Sequence, residues 1–169
     1  RQTKSIFAFL YLFIISFSYS YQKQIRFSTN EGTWMSVDIH PNGNDIAFEL
    51  VGDIYTIPKK GGQAKSIING RAFQSQPRFS KDGKWIVFIS DESGSDNIWI
   101  AKSNGKSMRK LTAIENSTML SPSWSVDDKE IFVTVITQFG FSSFAEIWSY
   151  NIESGEGKLL VKNQNGPSQ

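Results

Sequence analysis

Side chains able to do chemistry are few in this 169-residue chain, and their spacing excludes most catalytic arrangements. There is one histidine, His40, and no cysteine. A single imidazole cannot assemble a His-based metal site, and neither H-x-H nor H-E-x-x-H spacing occurs. Without cysteine there is no thiol nucleophile, no Cys-held zinc, no disulfide and no lipid-modified cysteine. Neither a G-x-S-x-G elbow nor a G-x-x-x-x-G-K-[ST] phosphate loop is present. The acidic run Asp91-Glu92-Ser93-Gly94-Ser95-Asp96 has the look of a cation loop. It lacks the spacing and terminal Glu of a calcium loop, and it reads as a solvated turn. Asn116-Ser117-Thr118 matches a glycosylation sequon, which matters only in a eukaryotic secretory pathway. The uncharged stretch Gln138 to Phe144 carries Phe139, Phe141 and Phe144. It is either a recognition loop or the extension of a hairpin packed on its neighbour. The sequence therefore predicts no catalytic residue, no metal ligand and no cofactor site in this stretch.

What positions these groups is a repeat. Val37-Asp-Ile-His-Pro-Asn-Gly-Asn-Asp-Ile-Ala-Phe48, Pro77-Arg-Phe-Ser-Lys-Asp-Gly-Lys-Trp-Ile-Val-Phe88 and Pro122-Ser-Trp-Ser-Val-Asp-Asp-Lys-Glu-Ile-Phe-Val133 align without gaps. Ile39, Phe79 and Trp124 head the three copies, 40 and 45 residues apart. That period matches β-propeller blades. Asn42-Gly43, Asp82-Gly83 and Asp127-Asp128 are the first turns of their copies, where His40, Ser80 and Ser125 share a position suited to bonding nearby backbone. Trp85 to Ser90 is a second strand, with Trp85, Val87 and Ile89 on one face and Ile86 and Phe88 on the other. Apolar residues on both faces indicate a sheet covered on both sides. Asp53–Ile57, Asn97–Ala101 and Glu146–Tyr150 form third strands. Ala64–Ile68, Met108–Thr112 and Lys158–Val161 form fourth ones. The fold class is thus all-β, with three four-stranded antiparallel blades of a propeller expected to hold six or more.

Arg1 and Lys4, the apolar run Ile6 to Phe17 and the small residues of Ser18-Tyr19-Ser20 predict a secretory signal peptide. The run falls short of the ~20 residues needed to span a bilayer. An uncleaved anchor is the weaker alternative, and no membrane contact is expected after cleavage. Removing residues 1–20 would bring the formal charge from +2 to zero, so no basic run is left to track nucleic acid. The organisation predicted is signal peptide 1–20, linker or closing strand 21–31, blades 32–70, 71–116 and 117–163, and the opening of a truncated fourth blade at 164–169. Localisation would be periplasmic or secreted. Links between second and third strands share a rim with links between blades. Arg71, Phe73, Asp91, Glu92, Asp96, Phe139 and Phe141 are therefore the candidate contact residues.

Ser80-Lys-Asp-Gly-Lys-Trp-Ile-Val-Phe88, Asn97-Ile-Trp99 and Lys110-Leu-Thr112 resemble the TolB-like propeller repeat. The resemblance covers about Gly32 to Val161. Lys81 and Val126 depart from the Pro that the repeat prefers, and Asp128 from its Gly; these departures are expected to weaken the turns. Glu31–Asp38, Gly52–Ile57 and Gly61-Gly62 resemble the start of exported bacterial proteins that join such a propeller to a C-terminal amidohydrolase domain. That resemblance implies a divalent metal only in the downstream domain, with the propeller as scaffold or gate. Its partners would be the remaining blades and the C-terminal domain of the parent chain, and an envelope protein or peptide. Two alternatives stay open: a TolB-like envelope-binding protein, and a propeller capping a serine peptidase as in prolyl oligopeptidase or tricorn-like proteins. The repeat specifies architecture well and function poorly.

Overall fold

The computed structural model describes residues 28–162. The expected signal segment 1–20, residues 21–27 of the expected linker or closing strand, and the expected repeat start at 164–169 lie outside the described residues. Twelve strands form three antiparallel sheets, each in sequence order. The first holds β1 (Val37–Ile39), β2 (Asp45–Leu50), β3 (Asp53–Pro58) and β4 (Lys65–Ile68). The second holds β5 (Gln74–Phe79), β6 (Trp85–Ser90), β7 (Asn97–Lys102) and β8 (Arg109–Lys110). The third holds β9 (Ser117–Trp124), β10 (Glu130–Phe139), β11 (Ser142–Asn151) and β12 (Gly157–Val161). No helix occurs among the described residues. These are propeller blades, as the repeat requires.

The middle blade shows why the alternation of β6 matters. Ile86 and Phe88 face the first blade and join Ala47, Ile54, Ile68 and Phe79 in one core. Val87 and Ile89 face the third blade and join Met119, Ile131, Val133 and Val135 in another. At ~25 cal/mol per Å² of apolar area removed from water, burial on two faces makes this strand the anchor of the stack. The outer blades bury one face less fully. Ile39 is 50% exposed, whereas its repeat counterpart Phe79 is 8% exposed.

Blades are also tied by hydrogen bonds that recur at matched positions. Gln76 and Ser121 sit at strand irregularities with φ of 53° and 56°. Such a residue is unpaired in its own ladder, so its N–H needs an outside acceptor. Glu49 accepts from Gln76 N–H, and Gln76 Oε1 accepts from Ser121 N–H at 2.7 Å. At the first turns, His40 Nδ1 accepts from Asn42 N–H at 3.1 Å, which leaves Nε2–H to donate to Gly83 O at 2.9 Å. Gly83 has φ 70°, and a Cβ there would lie 2.5 Å from the imidazole Cε1. Only glycine fits both demands.

One sequence expectation needs correction, and one open alternative is decided. Asp128 was expected to weaken its turn in place of Gly. It adopts φ 58°, and its carboxylate accepts Lys81 N–H at 2.7 Å and Asp82 N–H at 2.9 Å from the preceding blade. The short acidic side chain both tolerates the left-handed region and latches two blades. Of the two readings open for Gln138 to Phe144, the pairing takes the hairpin extension. Pairing runs unbroken from Glu130↔Asn151 to Phe139↔Ser142, leaving only Gly140 and Phe141 as the turn.

Candidate functional site

An antiparallel blade puts its second hairpin and the blade-to-blade link at one end, and its first and third hairpins at the other. The candidate contact residues belong to the first end. Phe73 N–H donates to Asp91 Oδ1 at 2.7 Å, which fastens the link before β5 to the turn after β6. Arg71 is exposed two residues earlier. Glu92 is exposed beside Asp91, and its N–H donates to Ser90 Oγ at 3.2 Å. Burial pushes the Asp96 carboxyl above its ordinary range, against a lowering hydrogen bond from Met119 N–H and with a further push from the Asp91 charge. Asn97, buried beneath, accepts from Thr112 Oγ1 at 2.8 Å and from Ile114 N–H at 2.9 Å. These bonds hold the acidic turn as a loop clasp. They bring Phe73 and Asp91 together, with Asp91 and Asp96 close enough to repel. Phe139 and Phe141 stand apart from them, at the end of the β10–β11 hairpin. No nucleophile–base pair exists here, and the described residues contain no cluster able to hold a metal.

The opposite end holds a groove that the sequence reading missed. It has a volume of about 450 Å³ and lies along β5 and β9, with Asp38, Arg78, Lys81 and Trp124 among its walls. The first strands of neighbouring blades touch one another, so this groove follows the inner edge of the stack. Asp38 is engaged, since Phe79 N–H donates to its Oδ2 at 2.7 Å. Trp124 Nε1–H donates to Arg78 O at 2.9 Å, which fixes the indole across the groove. The half-buried Arg78 donates to Ser36 Oγ at 2.9 Å and to Pro77 O at 2.7 Å, both neutral acceptors. Among the described residues the ion pair present is Lys84–Asp82 at 3.0 Å, so Arg78 and Lys81 have no carboxylate within salt-bridge reach. A guanidinium without a carboxylate partner and an indole lining the same groove suit a carboxylate-bearing ligand. The one available signal was Asp38 and Arg78 at the same repeat position with opposite charge, and alternation alone gives that no weight.

Comparison with known proteins decides the family. The Tricorn protease N-terminal beta propeller domain family matches residues 32–167. The chain belongs to this family. Among relatives of this propeller piece is Tricorn protease homolog 1 of Streptomyces coelicolor, 24% identical over 110 residues, which are 65% of this chain and 10% of that protein. Another is an uncharacterized peptidase, YuxL, of Bacillus subtilis, 34% identical over 84 residues, which are 49% of this chain and 13% of that protein. The solved structure of TolB from Acinetobacter baumannii superimposes with a TM-score of 0.63 at 23% identity, covering 79% of this chain and 33% of the other. The TolB-like repeat and the Tricorn-type propeller therefore describe one architecture. The chain spans a small part of the curated relatives it matches.

Proposed function

We propose that this chain is a non-catalytic propeller module of an exported hydrolase, with a peptidase as parent, and that its inner groove engages substrate polypeptide. The observation that carries this reading is Arg78, a half-buried guanidinium with neutral acceptors only, lining an open groove together with Trp124. The family match and two peptidase-type relatives support a peptidase parent. The resemblance of Glu31–Asp38 and Gly52–Ile57 to amidohydrolase-linked propellers supports a second parent, a metal-dependent amidohydrolase. In either case catalysis, and any divalent metal, belongs to another domain of the parent chain. Further blades of that chain would cover the half-exposed outer faces around Ile39 and Ile147, and the signal segment would route the protein to the periplasm or outside the cell.

The test is binding of a fluorescein-labelled Ala-Ala-Phe-Ala-Glu peptide to the intact protein by anisotropy. Arg78→Ala is expected to weaken binding about tenfold, the loss of one charge-assisted pair, and added salt to weaken the native protein's binding. Equal affinity of native and variant protein would sink the groove assignment. A parent gene lacking a downstream hydrolase domain would leave a TolB-like binding propeller in its place.

A further inference from the structure

In an Asn-Gly pair the glycine amide can attack the side chain before it, since no Cβ stands in the way. Among the described residues the pair occurs at Asn42-Gly43, Asn69-Gly70 and Asn104-Gly105, and Asn165-Gly166 lies outside them. The first and third are closed in hairpin turns. Gly43 N–H donates to His40 O and Gly105 N–H to Lys102 O, both at 2.7 Å, and an amide carbonyl is too weak a base to take the proton. Their side chains are committed too. Asn42 Oδ1 accepts from Asn44 N–H at 2.8 Å, and Asn104 Oδ1 from Lys106 N–H at 3.0 Å. Gly105 is seated so tightly that a Cβ there would run into Ile67 O.

Asn69-Gly70 differs on each count. It lies in the link between β4 and β5, where both residues are exposed. Gly70 N–H donates to Asp53 Oδ1 at 3.3 Å, so its acceptor is a carboxylate, which can take a proton. Asn69 Nδ2 donates to Ser66 Oγ at 2.8 Å, so the nitrogen that would leave already rests on a hydroxyl. The space where a Cβ of Gly70 would point is open, which frees the backbone to turn Gly70 N toward the Asn69 amide carbon.

We propose that Asn69 is a self-modification site, where Gly70 N closes on Asn69 Cγ to form a succinimide with release of ammonia. Asp53 is the general base and takes the Gly70 amide proton as the N–Cγ bond forms. That proton leaves with Nδ2 as the Cγ–Nδ2 bond breaks, Ser66 Oγ holding the nitrogen until it departs as ammonia. Water then adds across either C–N bond of the ring, which leaves aspartate or isoaspartate at position 69. The link thereby gains a carboxylate beside Asp53 and, in the isoaspartate form, one more backbone carbon ahead of the Phe73–Asp91 clasp. The reaction needs no partner and does not depend on the Arg78 groove.

The intact protein is incubated at neutral pH, folded or unfolded in urea. Conversion of amide to acid is followed by peptide-mapping mass spectrometry at Asn42, Asn69 and Asn104 separately. In the folded protein Asn69 is expected to convert at least about tenfold faster than the other two, short of the full effect of an ideally placed general base. In urea the three rates should converge. Asp53→Asn keeps an acceptor for Gly70 N–H and removes the base, so it should slow Asn69 by a similar factor and leave Asn42 and Asn104 unchanged. Equal rates at the three sites of the folded protein would overturn the proposal, as would an Asn69 rate that a folded Asp53→Asn variant leaves unchanged. Where that variant does not fold, the native protein decides: an Asn69 no faster folded than in urea would overturn the proposal as well.

Discussion

Asp82 shows how much of the fold rests on turn carboxylates. Lys84 N–H donates to its Oδ1 at 2.9 Å and Ser80 Oγ–H at 2.7 Å, and these bonds hold its pKa down to about 2 from 3.8. A carboxyl whose folded pKa is depressed stabilises the fold above its unfolded value, and that contribution disappears as pH falls through the folded one. The window for Asp82 is thus about pH 4 down to 2. Ser80→Ala should move its midpoint back toward 3.8, read by NMR titration of the carboxyl; an unmoved midpoint would refute the bonding described. Asp128 offers a sharper case. If it were merely a poor glycine, Asp128→Gly would stabilise the protein. The latch to Lys81 and Asp82 N–H predicts a loss of about 1–2 kcal/mol in denaturant melts instead. Turn positions were legible in the sequence because Asn-Gly and Asp-Gly carry their own backbone preference. Their partners were not, since His40 and Gly83, or Asp82 and Asp128, are more than forty residues apart.

Among the elements, β6 was the most legible. Its alternation of Ile86 and Phe88 against Val87 and Ile89 can only be satisfied between two sheets, and each pair lies in a different core. Phe88→Ala should cost about 3–5 kcal/mol by chemical denaturation. Phe48, at the same repeat position in the first blade, is half-buried and stacks on Tyr55 with ring centroids 5.6 Å apart. Phe48→Ala should cost less than half as much; equal costs would contradict the stacking order. The length of β10 and β11 was less legible, because Phe139-Gly140-Phe141 is a weak turn signal amid residues that suit either a strand or a loop. Pairing across the sheet, which no local pattern encodes, extended both strands to the tip.

Taken whole, the molecule separates its two ends. Acidic, clasped loops and the long hairpin occupy one, and the Arg78–Trp124 groove occupies the other. The sequence pointed to the first end because loops with charges and aromatics stand out along a chain. The groove is assembled from residues that each read as ordinary strand or turn positions, Asp38, Arg78 and Trp124, and it exists only once the inner strands are side by side. Family membership fixes the architecture, while the proposed function rests on what that groove holds. The most direct test is a nitrogen-15 NMR titration of the intact protein with the Ala-Ala-Phe-Ala-Glu peptide, following the indole N–H signals of its five tryptophans. A shift concentrated on Trp124 Nε1–H, with Trp34, Trp85, Trp99 and Trp148 unmoved, is the predicted result. A silent Trp124 while peptide binds elsewhere would contradict the account.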